Sequence, residues 1–136
     1  MSIEIQGLNE VLQRLDITDP IKLNLALGRA CALVERTAKQ KAPKDTGELR
    51  RSISSKVEDG IGVIFTPLEY APYVEYGTGL FAENGGRSDV PWSYQDDSGE
   101  WHSTSGQHPQ PFMRPALDEN REEIIRIIKE GITAND

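Results

Sequence analysis

The side chains in this sequence that admit metal or nucleophile chemistry are two histidines, His102 and His108, and one cysteine, Cys31. A zinc site would need the histidines oriented together with acids such as Asp96 or Asp97. Six positions apart in a polar stretch, they carry little of the ligand spacing such sites show. A small hydrolase would use His102 with Asp96 or Asp97, the weakest of the functional readings. Cys31 lies beside the apolar stripe of a helical segment, where a buried, inert thiol is expected. No G-x-S-x-G elbow is present. Gly77, Gly79, Gly85 and Gly86 do not precede a helix in phosphate-loop order, and no G-K-[ST] follows them. Adjacent Asp96 and Asp97 fit a solvated turn. The expectation is therefore no catalytic residue, no metal, no cofactor and no enzyme activity.

A second kind of chemistry is charge recognition. Between Arg36 and Lys56 stand seven bases, Arg36, Lys39, Lys41, Lys44, Arg50, Arg51 and Lys56, against Asp45 and Glu48. Such a patch suits phosphates or an acidic protein neighbour. The whole chain has 136 residues and a net charge of −7, which argues against a protein that mainly grips nucleic acid. The charge is also divided: residues 1–57 hold ten bases and seven acids, residues 58–136 five bases and fifteen acids. This asymmetry suits a subunit packing head-to-tail on copies of itself, or one with two different partners.

The elements that position these residues follow from hydrophobic period. Residues 2–6 alternate as a short strand. Leu8, Val11, Leu12 and Leu15 predict a short helix. Asp19-Pro20 is a helix start, an acidic cap followed by proline in the first turn. Leu23, Leu27, Ala30, Val34 and Ala38 then mark a long helix over 20–41, stopped by Pro43. Residues 49–57 predict a strand, Asp59-Gly60 a hairpin turn, and 61–66 the returning strand. Residues 70–76 predict a short helix or bent segment laid over the sheet. Residues 79–110, rich in glycine and serine, predict an extended loop whose Trp92-Ser-Tyr-Gln and Trp101-His-Ser-Thr runs form a hairpin arm. A final helix carries Leu117, Ile124, Ile128 and Ile132, widened by Ile125 and Ile127, with a Glu122–Arg126 pair. The fold class is α+β. A small antiparallel sheet is packed by a long helix in the N-terminal half and by a C-terminal helix. Residues 1–136 form a single domain that includes the 79–110 arm. The sequence has no apolar run of the roughly 20 residues a membrane span needs, and its opening residues lack signal-peptide order. A cytoplasmic protein is expected on these grounds.

Three segments together resemble one protein family. They are Ala38-Lys-Gln-Lys-Ala-Pro-Lys-Asp-Thr-Gly-Glu-Leu-Arg-Arg-Ser-Ile53, Tyr70-Ala-Pro-Tyr-Val-Glu-Tyr-Gly-Thr78, and Gln110-Pro-Phe-Met-Arg-Pro-Ala-Leu117. In this order they resemble the small neck proteins of bacteriophages with long non-contractile tails, described as head-tail joining, tail-completion or minor tail-component proteins. The loop from Trp92 to Trp101 also resembles versions from phages of Gram-positive hosts.

In that light Pro43, Asp45, Thr46 and Gly47 turn the chain out of the long helix, with Gly47 free to take positive φ. Tyr70, Tyr73 and Tyr76 supply rigid apolar area with polar tips. Glu75, beside Gly77, is expected to bond backbone or to pair with Arg50 or Arg51. Pro111, Phe112 and Pro115 form a stiff entry to the last helix, with Phe112 as anchor, and Arg114 stands among them. These positions, with Trp92 and Trp101, are the structural and interface candidates.

The resemblance implies assembly. Its members form a ring between the DNA-filled head and the tail tube, and the genome passes through as cargo. The implied partners are further copies of the chain, head connector or stopper proteins, and a tail terminator or tail tube protein, with no membrane. The protein is expected in the host cytoplasm before assembly and in the virion neck or tail afterwards. Acids of the second half are expected to line the channel and repel DNA. A tail terminator or other minor tail ring protein is the nearest alternative, and a nucleic-acid-binding regulator using the 36–56 bases is more distant.

Overall fold

The computed structural model describes residues 1–5, 19–44, 47–83, 85–86 and 89–133. The short helix expected over Leu8–Leu15 and the turn residues Asp45 and Thr46 lie outside the described residues. The chain divides into two compact units, residues 1–68 with 112–136, and residues 69–111.

The first unit is built on helix α1, Pro20–Lys41. Asp19 caps it as its sequence suggests, accepting from the amides of Ile21 at 3.0 Å and Lys22 at 3.3 Å. Ala26, Leu27, Ala30, Cys31, Val34 and Ala38 bury its apolar stripe. At its end the amide of Ala42 donates to Ala38 O, and extended backbone leads into Pro43.

Gly47 then takes φ +74° and opens α2, Glu48–Ser52. This corrects the expected strand over 49–57, of which only the second half is extended. Glu, Leu and Arg are good helix formers, and Leu49 and Ile53, four apart, are both buried. Burying both from one helical turn outweighs the β preference of the serines around them. The Ser52 hydroxyl lies 2.6 Å from Leu49 O and 2.7 Å from Thr66 Oγ1, tying the turn to the end of the sheet.

Strands β1 (Ser2–Ile5), β2 (Ser54–Glu58) and β3 (Ile61–Phe65) form an antiparallel sheet in the order β1–β3–β2. Ile3 pairs with Ile64, and Ser55 with Ile64 from the other side. The Asp59-Gly60 turn has positive φ at both residues, as a two-residue hairpin of this twist requires. Gly62 and Ile64 point to the buried face. A Cβ at Gly62 would overlap the Cys31 sulfur, so β3 lies close against α1.

The last helix of the sequence is two helices here: α4, Met113–Glu119, and α5, Arg121–Thr133. (The intervening α3, Ala71–Tyr76, belongs to the second unit.) Both pack on α1. The side-chain amide of Asn120 marks the break, donating to Ala116 O at 2.7 Å and to Thr37 Oγ1 on α1 at 3.0 Å. Phe112, Met113, Ala116, Ile124 and Ile128 fill the core, while Leu117 and Ile127 are half-buried and Ile125 is exposed. Arg126 bonds Glu123 and Glu130, rather than the Glu122 partner expected from spacing.

The second unit holds α3, Ala71–Tyr76, a 3-10 turn at Gly79–Phe81, and the hairpin β4 (Trp92–Gln95) and β5 (Trp101–Thr104). The hairpin pairs Trp92 with Thr104 and Gln95 with Trp101, in the two runs expected from sequence.

Candidate functional site

The Tyr-Gly-Thr-Gly segment that follows α3 organises the second unit. The amide of Thr78 donates to Gln107 O, and the amide of Gln107 returns to Thr78 Oγ1, both at 2.9 Å. The Leu80 amide donates to Ser105 O and the Gln110 amide to Val74 O. Two parts of the chain nearly thirty residues apart are thus held side by side. The approach is close enough to require glycine. At Gly77, φ +81°, a Cβ would meet Gln107 O and the Pro109 ring at 2.9 Å. At Gly79, φ +60°, it would run into Ser105 O and the Trp92 ring. The Phe81 and His108 rings lie 3.8 Å apart.

The motif residues fall into two sets. Glu75 and Gly77 are buried and Tyr76 and Trp92 half-buried, as parts of the framework. Tyr70, Tyr73, Tyr94, Leu80 and Trp101 are exposed, Trp101 at 67% and Tyr73 at 59%. Exposed aromatic area of this kind marks interaction surfaces more than framework. Residues 69–111 also hold seven acids against one base, so the acidity of the second half of the chain is concentrated here.

The hairpin tip is rigidly built. Asp96 Oδ1 accepts from the Ser98 amide at 2.9 Å, the Ser98 hydroxyl at 2.7 Å and the Glu100 amide at 2.9 Å. Its Oδ2 lies 2.7 Å from His102 Nε2, and Tyr94 stacks on the His102 ring. The Ser98 and His102 hydrogen bonds, followed by that of the Glu100 amide, hold the Asp96 carboxyl down at about 2. Asp96, Glu100 and His102 offer metal-ligand atoms within 4.8 Å of one another. The turn's own hydrogen bonds already account for that grouping. Asp97 takes no part in it. Sequence alone treats Asp96 as solvated; the signal for its role is the D-x-S-x-E order, an aspartate positioned to cap its own turn.

The basic stretch is sorted by the first unit. Lys41 pairs with Glu119 at 2.8 Å and Lys56 with Glu58 at 3.3 Å. Arg36, Lys39 and Gln40 of α1 and Lys44 and Arg50 beyond it line, with Glu35, an open pocket of about 430 Å³. Lys39 is 3.4 Å from Glu35. Among the described residues Arg36, Lys44 and Arg50 have no acidic partner, and Arg50 Nε is buried without an acceptor. Helical period places Arg36, Lys39 and Gln40 together. The return of Arg50 depends on α2, which sequence reading took for strand.

Of the remaining candidates, Pro43 is half-buried at the end of α1, Pro111 is exposed, Phe112 is buried, and Arg114 and Pro115 are half-buried on α4. Cys31 is buried, and burial, followed by the charge of Glu35, pushes its thiol up to about 11. Among the described residues no helix is long and apolar enough to cross a membrane.

A family model, described as "Bacteriophage HK97-gp10, putative tail-component", matches residues 6–77, more than half of the chain. The match spans the long helix, strands β2 and β3 and the Tyr-Ala-Pro-Tyr-Val-Glu-Tyr-Gly segment, and ends before the hairpin. No curated protein and no solved structure matches the chain.

Proposed function

Because the chain belongs to the HK97-gp10-like family of bacteriophage tail components, we propose that it works by assembly: it forms a ring at the head-tail junction and completes the channel through which DNA passes. As a tail component the protein belongs to the virion and meets other virion proteins there. The finer reading is ring formation by repeated head-to-tail contacts between copies, with the head connector or stopper on one side and the tail terminator or tail tube on the other. The observation that carries it is the exposed aromatic surface of the second unit, with Trp101 at 67% and Tyr73 at 59%. Virion contacts would cover these side chains.

The acidic channel expected from sequence needs a different source of charge. On α4 and α5, Asp118 bonds Arg121, Glu119 bonds Lys41, and Glu123 and Glu130 bond Arg126. Those acids are largely neutralised locally. Residues 69–111, with seven acids against one base, carry a larger excess of negative charge.

A stop codon at Gln13 in the phage that carries this gene tests the proposal. Full heads beside finished, unattached tails support joining. Overlong or irregular tails would make the protein a tail terminator, and normal infectious particles would overturn a role in assembly.

A further inference from the structure

We infer that the basic pocket of one copy receives the acidic hairpin tip of the next, Asp97 and Glu100 entering between Arg36, Lys44 and Arg50. The inference rests on the ring reading above and specifies its contact. The pocket is an open concavity of about 430 Å³, enough to hold a few side chains. Three of its cations, Arg36, Lys44 and Arg50, lack an acidic partner among the described residues. Arginine is the residue that best meets carboxylates with paired hydrogen bonds.

The choice of occupant follows from which acids are free. Of the helical acids on α4 and α5, Asp118 bonds Arg121, Glu119 bonds Lys41, and Glu123 and Glu130 bond Arg126, while Glu122 stands alone on its helix rather than on a projecting turn; Glu58 bonds Lys56. Asp97 and Glu100 are exposed and have no cationic partner among the described residues. They stand together on one turn, and Asp96 fixes that turn through three hydrogen bonds. Little order has to be gained on docking, which favours binding. Trp101 follows Glu100 directly and would be covered at the pocket rim. A second copy supplies this tip at every position of a ring, and a heterologous contact of this kind propagates from copy to copy. Nucleic acid is disfavoured as occupant by the net charge of −7.

The test is a charge exchange, read as infectious titre when plasmid-borne variants complement the Gln13 stop mutant. Arg36→Glu with Lys44→Glu, and separately Asp97→Lys with Glu100→Lys, are each expected to lower titre by about tenfold or more. All four together are expected to restore it, because the pairs couple. A four-fold variant no better than its worse parent overturns the contact, as do reversals without effect. Loss from the pocket reversal alone, with the tip reversal neutral, also overturns it and assigns the pocket to another partner, nucleic acid included. The ring reading fails separately, by full titre of the stop mutant with no plasmid. Circular dichroism checks that the variants fold. If one does not, Lys44→Cys with Asp97→Cys in otherwise unchanged protein decides the matter: oxidised particles should yield disulfide-linked oligomers, and only monomer overturns the contact.

Discussion

At the residue scale, two glycines and one aspartate hold the second unit in shape. Gly79→Ala places a methyl group against both Ser105 O and the Trp92 ring in a left-handed conformation. We expect a loss of about 1–3 kcal/mol, measured as a lower denaturation midpoint by tryptophan fluorescence. Gly85→Ala, with nothing within 4 Å of the added carbon, is the control for positive φ alone. Asp96 gives a pH prediction. Its carboxyl is depressed to about 2 by hydrogen bonds formed in the folded turn, below an ordinary unfolded value of about 3.9. Its contribution is therefore complete above that unfolded value and is lost as pH falls through about 2. Asp96→Asn should flatten this acid dependence in a fluorescence titration, and an unchanged profile would assign the acid transition to other carboxylates. The sequence shows the glycines and the aspartate as turn residues. It does not show that Gly79 lies under Trp92, because that contact joins distant parts of the chain.

At the element scale, local signals were legible and competition between them was not. Helix α1 begins and ends where Asp19-Pro20 and Pro43 place it, because capping and proline geometry act within a few residues. The β2–β3 hairpin follows Asp59-Gly60 for the same reason. The first half of the expected strand at 49–57 is helical because Leu49 and Ile53 reach the core together from one turn, which only the position of α1 and the sheet decides. Leu49→Ala should cost about 2–5 kcal/mol if α2 anchors the chain after α1. Substitution of exposed Arg51 by alanine should leave the core intact. The break at Asn120 was equally hidden, since its amide bonds Thr37 on α1, a partner far away in sequence. Asn120→Ala leaves Thr37 Oγ1 without that donor and should lower the melting temperature measurably. A melting temperature equal to that of the parent would mean that α4 and α5 are separated by helix propensity alone.

At the scale of the whole molecule, the arrangement divides labour between a packed unit and an acidic unit bearing exposed aromatics. The charge asymmetry was visible in the sequence, but its meaning was not. Folding neutralises most of the helical acids and, among the described residues, leaves Asp97 and Glu100 of the tip and Arg36, Lys44 and Arg50 of the pocket without a partner of opposite charge, so the asymmetry survives as two local surfaces rather than two halves. The packed unit has its own test in Cys31, which lies where α1 meets β3, opposite Gly62. With its thiol pushed up to about 11, about one molecule in a thousand carries the reactive thiolate at pH 8. Burial blocks even that fraction from a bulky aromatic disulfide reagent. Labelling should therefore proceed only through opening of the α1–β3 contact, and its rate should rise with denaturant in step with unfolding of the first unit. Gly62→Ala, which forces that contact apart, should accelerate labelling by the same factor by which it destabilises the unit. Rapid labelling of the native protein, insensitive to denaturant and to Gly62→Ala, would mean that the helix does not seal the sheet.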